Sequence, residues 1–95
     1  MAAYVIADIQ VQDAAAYETY KKGVGATVDK YGGRFLVRGG EVKSFEGGWE
    51  PSRMVVLEFP DMAALEAWYA SPEYKPLLDM RLAATTGRLI GVQGA

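Results

Sequence analysis

Residues Trp49 to Tyr74 read WEPSRMVVLEFPDMAALEAWYASPEY, and the order of signals within them decides the fold. From Arg53 to Phe59 the side chains alternate: Val55, Leu57 and Phe59 fall on one side, Met54, Val56 and Glu58 on the other, which is the period of a strand. Pro60 stops the strand, Asp61 is a helix N-cap, and Met62, Leu65, Trp68 and Tyr69 recur as one helical stripe. Ser71-Pro72 is a second start signal, a capping hydroxyl before a proline. Pro76 interrupts a regular start, so the segment Pro72 to Ala84 is predicted to begin as a turn and settle into helix from about Pro76.

Upstream, Ala3 to Val11 alternates with Val5, Ala7, Ile9 and Val11 on an apolar face and Tyr4, Ile6, Asp8 and Gln10 on a mixed one, predicting a first strand. Asp13 then caps a helix whose stripe is Tyr17, Tyr20, Val24, Val28 and Tyr31. Gly23 and Gly25 each cost about 1 kcal/mol relative to Ala inside a helix, and close packing of a neighbouring helix is the simplest reason for them. Tyr31-Gly32-Gly33 closes this helix. In RFLVR, Phe35 and Val37 share one face and Arg34, Leu36 and Arg38 the other. Gly39-Gly40 reads as a bulge or bend, Glu41 to Glu46 as a frayed, exposed continuation of the strand, and Gly47-Gly48 as a turn. Downstream, Arg88 to Gln93 is the last strand and Gly94-Ala95 a tail.

Strand, helix, strand, strand, helix, strand, with an extra short helix before the end, predicts one α+β domain over residues 1–95. The arrangement is the ferredoxin-like split βαβ, a four-stranded antiparallel sheet with helices on one face. The other face carries Tyr4, Ile6, Leu36, Met54 and Val56, too apolar for water, and a second copy packed sheet to sheet as a dimeric α/β barrel is the simplest cover. A chain of 95 residues also buries a modest share of its surface by itself, which favours pairing.

Composition removes whole classes of chemistry. There is no Cys and no His, so thiolate nucleophiles, Ser-His-Asp triads and the usual zinc sites are excluded, and any proton transfer falls to Asp, Glu, Tyr or Lys. A net charge of -2 with no basic run leaves no footprint for nucleic acid or an anionic membrane surface. No apolar run approaches the roughly 20 residues of a membrane span, and the N-terminus alternates like a strand rather than a signal peptide, so a cytoplasmic protein is expected. The glycine pairs do not sit between a strand and a helix start, so no phosphate cradle and no cofactor are implied.

At this point the chain resembles the family catalogued as domain of unknown function 1330, within the dimeric α/β-barrel superfamily. The likeness is carried by YGGRFLVRGG from Tyr31, the W-x-P-x-R of Trp49 to Arg53, the EFP of Glu58 to Pro60, AWYASPEY from Ala67, and Arg81. It implies the fold and the homodimer. The superfamily includes cofactor-independent monooxygenases, haem-degrading enzymes, lactone isomerases and ligand-binding regulators, so fold does not choose function. The absence of His weighs against haem.

Two readings of the polar residues remain open. Alternation puts Asp8, Arg34, Arg38 and Glu58 on one sheet face, where they form either a charge network that sets register and the dimer, or part of a site. In the second case Arg38 or Arg53 holds an anionic oxygen of a small organic acid and Glu58 acts as base or orienting group, giving a ligand pocket and, if chemistry follows, a cofactor-independent enzyme. Trp49, Trp68, Tyr69 and Tyr74 line an aromatic pocket or are core. Ser71 is better explained as a cap than as a nucleophile, and Arg81 reaches back to a carboxylate or to the ligand. The alternative is a structural or regulatory dimer module without activity.

Overall fold

The computed structural model describes residues 1–95. Its elements run β1 (Ala3–Val11), α1 (Ala14–Lys30), β2 (Arg34–Arg38), β3 (Met54–Phe59), α2 (Met62–Tyr69), α3 (Lys75–Ala84) and β4 (Thr85–Gln93). The strands form one antiparallel sheet in the order β2-β3-β1-β4, the ferredoxin-like arrangement. No helix is long and apolar enough to cross a membrane.

The caps act as read. Asp13 accepts from the Ala16 amide at 3.1 Å and Asp61 from the Ala64 amide at 2.8 Å, satisfying one orphan donor at each helix start. Ser71 caps a turn rather than the helix. Its hydroxyl donates to the Trp68 carbonyl at 2.7 Å and accepts from the Tyr74 amide at 3.1 Å, and α3 begins only at Lys75, next to Pro76. Gly23 makes room for α3, since a Cβ there would lie 3.1 Å from Leu77. Gly25 meets nothing within 4 Å, so close packing explains only the first of the two glycines.

The core lies between the sheet and the helices. Val5, Ala7, Ile9, Leu57 and Phe59 face Tyr17, Tyr20, Val24, Val28, Leu65, Trp68 and Tyr74 across it. Val11 stays outside, because at the end of β1 only β4 flanks it.

Three further sequence expectations change. Glu41 to Glu46 form no strand; the chain from Gly39 to Arg53 is an exposed loop, and Phe45 is 90% exposed at its tip. β4 starts at Thr85, earlier than Arg88, and pairs with β1 along its whole length, because α3 passes straight into extended backbone at Thr85. Most consequential is a bulge in β2. Phe35 pairs with Leu57 but Val37 pairs with Val56 and Arg38 with Val55, so Leu36 is an extra residue. A one-residue slip reverses the faces beyond it. Val37 therefore joins the open face, and Arg38 turns to the helix side, away from Asp8, Arg34 and Glu58.

Candidate functional site

The helix side of the sheet holds a cavity of about 30 Å³ whose wall includes Tyr17, Tyr20, Trp68, Lys21, Arg38, Arg53 and Arg81. A water molecule needs roughly 10–15 Å³ of such space, so the cavity has room for about two. Four cations and no carboxylate border it.

Each arginine arrives from a different element. Arg38 comes from β2 through the bulge, lies 4.2 Å over the Phe35 ring and donates to the Lys21 carbonyl on α1 at 3.0 Å. Arg53 immediately precedes β3; its guanidinium lies 5.5 Å from the centre of the Tyr17 ring and covers Gly39, where a Cβ would sit only 2.4 Å from Nη1. Gly39 also has φ +74°, so the loop turns and admits the arginine at one residue. Arg81, on α3, is only 6% exposed, and the one hydrogen bond of its side chain runs from Nε to the Tyr74 hydroxyl at 3.3 Å.

None of the three has an acid partner. The chain's four ion pairs are Lys21 with Glu18, Lys30 with Glu73, Arg34 with Glu58 and Lys75 with Asp79. Arg53 Nε is moreover the one buried side-chain nitrogen or oxygen without any hydrogen-bond partner. Of the arginines Arg81 is buried, Arg53 half-buried and Arg38 exposed, so the desolvation cost that an anion would relieve falls on Arg81 and on Arg53 Nε, with Arg38 adding charge at the rim.

The tyrosines complete the buried end. The Tyr20 and Tyr74 hydroxyls are 2.9 Å apart, and Tyr17 stacks on Tyr20 at 5.5 Å. Burial, and then Tyr74, hold the Tyr20 pKa well above the ordinary phenol value. Burial pulls the Arg81 pKa down while the Tyr74 and Tyr20 oxygens push it up, and the balance lies above its usual value. Both groups therefore keep their protons at neutral pH.

Of the residues singled out in the sequence, Arg38, Arg53, Trp68 and Arg81 meet at this cavity. Trp68 also serves the core: it is 1% exposed, packs 4.2 Å from Tyr74, and its indole N–H donates to Thr27 Oγ1 at 3.1 Å. Tyr74 stands behind the wall, joined to it through Tyr20 and Arg81. Ser71 is occupied with its turn. Tyr69 edges an outer groove with Leu65 and Leu89. Trp49, 61% exposed in the loop, borders a shallow recess of the open face with Ile6, Met54 and Ile90.

Glu58 is also on the open face, separated from the cavity by the sheet. It accepts from Arg34 Nε at 2.7 Å and from the Tyr4 hydroxyl at 3.2 Å, and the Arg34 hydrogen bond holds its pKa below the usual carboxylate value. That makes it a weak base committed to two partners. Asp8 does not join this group; it accepts from the Ser52 amide at 3.2 Å. No three His, Cys, Asp or Glu side chains converge where a metal could be held.

Sequence reasoning treated Tyr17 and Tyr20 as plain core stripe and passed over Lys21. The available signal was two hydroxyl-bearing rings on the buried face of an α1 whose other buried positions are aliphatic or Thr.

The fold thus defines a ferredoxin-like α+β protein with one open sheet face. The chain belongs to the family described as a domain of unknown function (DUF1330), matched over residues 2–95. In three dimensions it is similar to a protein of unknown function from Rhodopseudomonas palustris, at 20% identity over 99% of this chain and 82% of that one, with a TM-score of 0.80. It is likewise similar to a dimeric ferredoxin-like protein of unknown function from Jannaschia sp. CCS1, at 18% identity over 99% and 100% of the chains and a TM-score of 0.67. A third is SnoaB, a cofactor-independent oxygenase from Streptomyces nogalater, at 15% identity over 99% and 92% and a TM-score of 0.64. At these identities the likeness is one of fold. Among curated proteins, none matches the chain.

Proposed function

We propose that this protein is a homodimer that binds a small organic acid in the cavity between its sheet and α1 and α3, with Arg38, Arg53 and Arg81 taking the charge. The observation that carries the reading is the cation set itself: three arginines face one cavity, none has a carboxylate within ion-pair reach, and Arg53 Nε is buried without a partner. An aromatic and aliphatic lining suits a flat apolar body on the acid. Because the space is small, the ligand enters by displacing water and swinging Arg38, whose hold on α1 is one hydrogen bond to a carbonyl.

Dimerisation is supported by a row of four aliphatic side chains, Val37, Val56, Ile6 and Ile90, that crosses the open face from edge to edge, with Ile90 57% exposed. A second copy covers such a face symmetrically, and the Jannaschia protein of the same fold is described as dimeric. Cofactor-independent catalysis, the activity named for SnoaB, is the chemical extension of this reading; on this chain it would fall to the cavity's tyrosines and arginines. The small cavity favours a second reading, a dimer module with no ligand, in which the arginines keep only water.

A thermal-shift panel of small carboxylates from acetate to benzoate separates the two. At a hundred times its dissociation constant a ligand adds about 2.7 kcal/mol of stability, which for a domain of this size is a midpoint shift on the order of 10 °C. The shift should vanish in Arg53→Met and shrink in Arg38→Met. No shift with any acid, or a shift that survives both replacements, leaves the module reading in place. A monomeric mass by light scattering at micromolar concentration removes the dimer.

A further inference from the structure

We infer that the Tyr20 hydroxyl is a hydrogen-bond donor into the cavity, held in that polarity by Tyr74 and Arg81, so that the site selects ligands whose innermost group is an anionic oxygen. The inference rests on the organic-acid reading above and adds the residue that discriminates for charge.

The direction follows from counting donors. Arg81 Nε can only donate, so at 3.3 Å it donates to the Tyr74 oxygen. Tyr74 is completely buried, and the one acceptor within reach of its own proton is the Tyr20 oxygen at 2.9 Å. Were Tyr20 the donor instead, the Tyr74 proton would be buried with no acceptor, at a cost that the opposite arrangement avoids. Tyr74 therefore donates to Tyr20. This leaves the Tyr20 proton without a protein acceptor, and Tyr20 lines the cavity whereas Tyr74 does not. The chain of donation runs Arg81 to Tyr74 to Tyr20 and ends in the cavity, where Arg53 Nε also lacks a partner. Donors converge there and no carboxylate faces them. A carboxylate satisfies both donors, whereas the NH2 of an amide of the same shape finds another donor in its place.

Calorimetric titration with benzoate and benzamide as probes tests this on the whole chain. Tyr20→Phe removes one oxygen, which is also the acceptor of the Tyr74 proton, and keeps the Tyr74 oxygen that accepts from Arg81. It should weaken benzoate binding about tenfold, the effect of one hydrogen bond to a charged group, and weaken benzamide less, because a neutral carbonyl gains less from the same donor. Tyr74→Phe, which frees Tyr20 to rotate, should also weaken benzoate. Tyr31→Phe, whose hydroxyl bonds Glu73 away from the cavity, should match the wild type. If Tyr20→Phe binds benzoate as tightly as the wild type while Arg53→Met loses it, the Tyr20 inference fails and the arginine reading survives. Equal losses for benzoate and benzamide in Tyr20→Phe mean packing rather than charge selection, and also overturn it. If the wild type binds no benzoate, or Arg53→Met binds it unchanged, the cavity reading fails and the role of Tyr20 with it.

Discussion

On the open face of the sheet Arg34 has the Glu58 carboxylate at 2.7 Å, and Tyr4 shares it; on the helix face Arg38, Arg53 and Arg81 have no carboxylate within ion-pair distance. The two faces belong to the same four strands, yet one pairs its arginine with a carboxylate and the other leaves three arginines without one. The Glu58 carboxylate, its pKa lowered by Arg34, is committed to two partners; its pair with Arg34 bridges β2 and β3 and lies beside the aliphatic row. Unpaired guanidinium groups with tyrosine hydroxyls are poor structural elements and good anion ligands. On the reading proposed above, function lies where the charges are left open and structure where they are closed.

The largest expected effect comes from striking the open face at its centre. Ile6→Asp puts a carboxylate in the middle of the aliphatic row, and in a sheet-to-sheet dimer that charge would be buried without a partner. Light scattering should show the proposed dimer falling to monomers, with the fold retained in circular dichroism. A mass that stays dimeric moves the interface elsewhere.

On the helix face, Gly39→Ala should cost about 1–3 kcal/mol, since the position is left-handed and the new methyl meets the Arg53 guanidinium. Denaturant melts should show the loss, together with a weaker response to benzoate. A loss of stability with the acid response intact would mean that Arg53 is free to adjust.

The faces should also fail at opposite ends of the pH scale. Tyr20 has a raised pKa, so the unfolded chain releases that proton first. Its contribution to stability is complete below about pH 10 and declines above it by up to about 1.4 kcal/mol per pH unit. Tyr20→Phe should therefore flatten the alkaline limb of the stability curve. An unchanged limb would mean that Tyr20 ionises like a solvent-exposed phenol.

Glu58 is the opposite case and the smallest effect. Its pKa is lowered by Arg34, so its contribution is present above the ordinary carboxylate pKa and lost as pH falls through the lowered value. Glu58→Gln should slightly flatten the acid limb and leave benzoate affinity untouched. A marked fall in affinity with stability unchanged would instead make Glu58 a functional group.

Local signals were enough for most of the fold. Two aspartate caps, the Gly32-Gly33 stop, the Pro60 break and the alternation of β1 and β3 each act over a few residues, and each falls where the sequence puts it. The apolar composition of the open face was readable for the same reason: alternation in a regular strand carries every side chain to a known side. Arg38 shows the limit. RFLVR alternates like any strand, and nothing in it marks Leu36 as the extra residue; pairing with β3 decides that, and with it the face on which Arg38 lies. Likewise Tyr20 stands 54 residues from Tyr74, itself only seven from Arg81, and the three become one hydrogen-bonded line only when α1 packs beside α3. The sequence by itself determined the elements, their caps and the ferredoxin-like order, because those depend on neighbours along the chain. Tertiary structure decided which charges of the sheet were paired and which were left facing a cavity, because that pairing, unlike the Glu18–Lys21 and Lys75–Asp79 pairs within single helices, depends on register and packing between segments that no local pattern records.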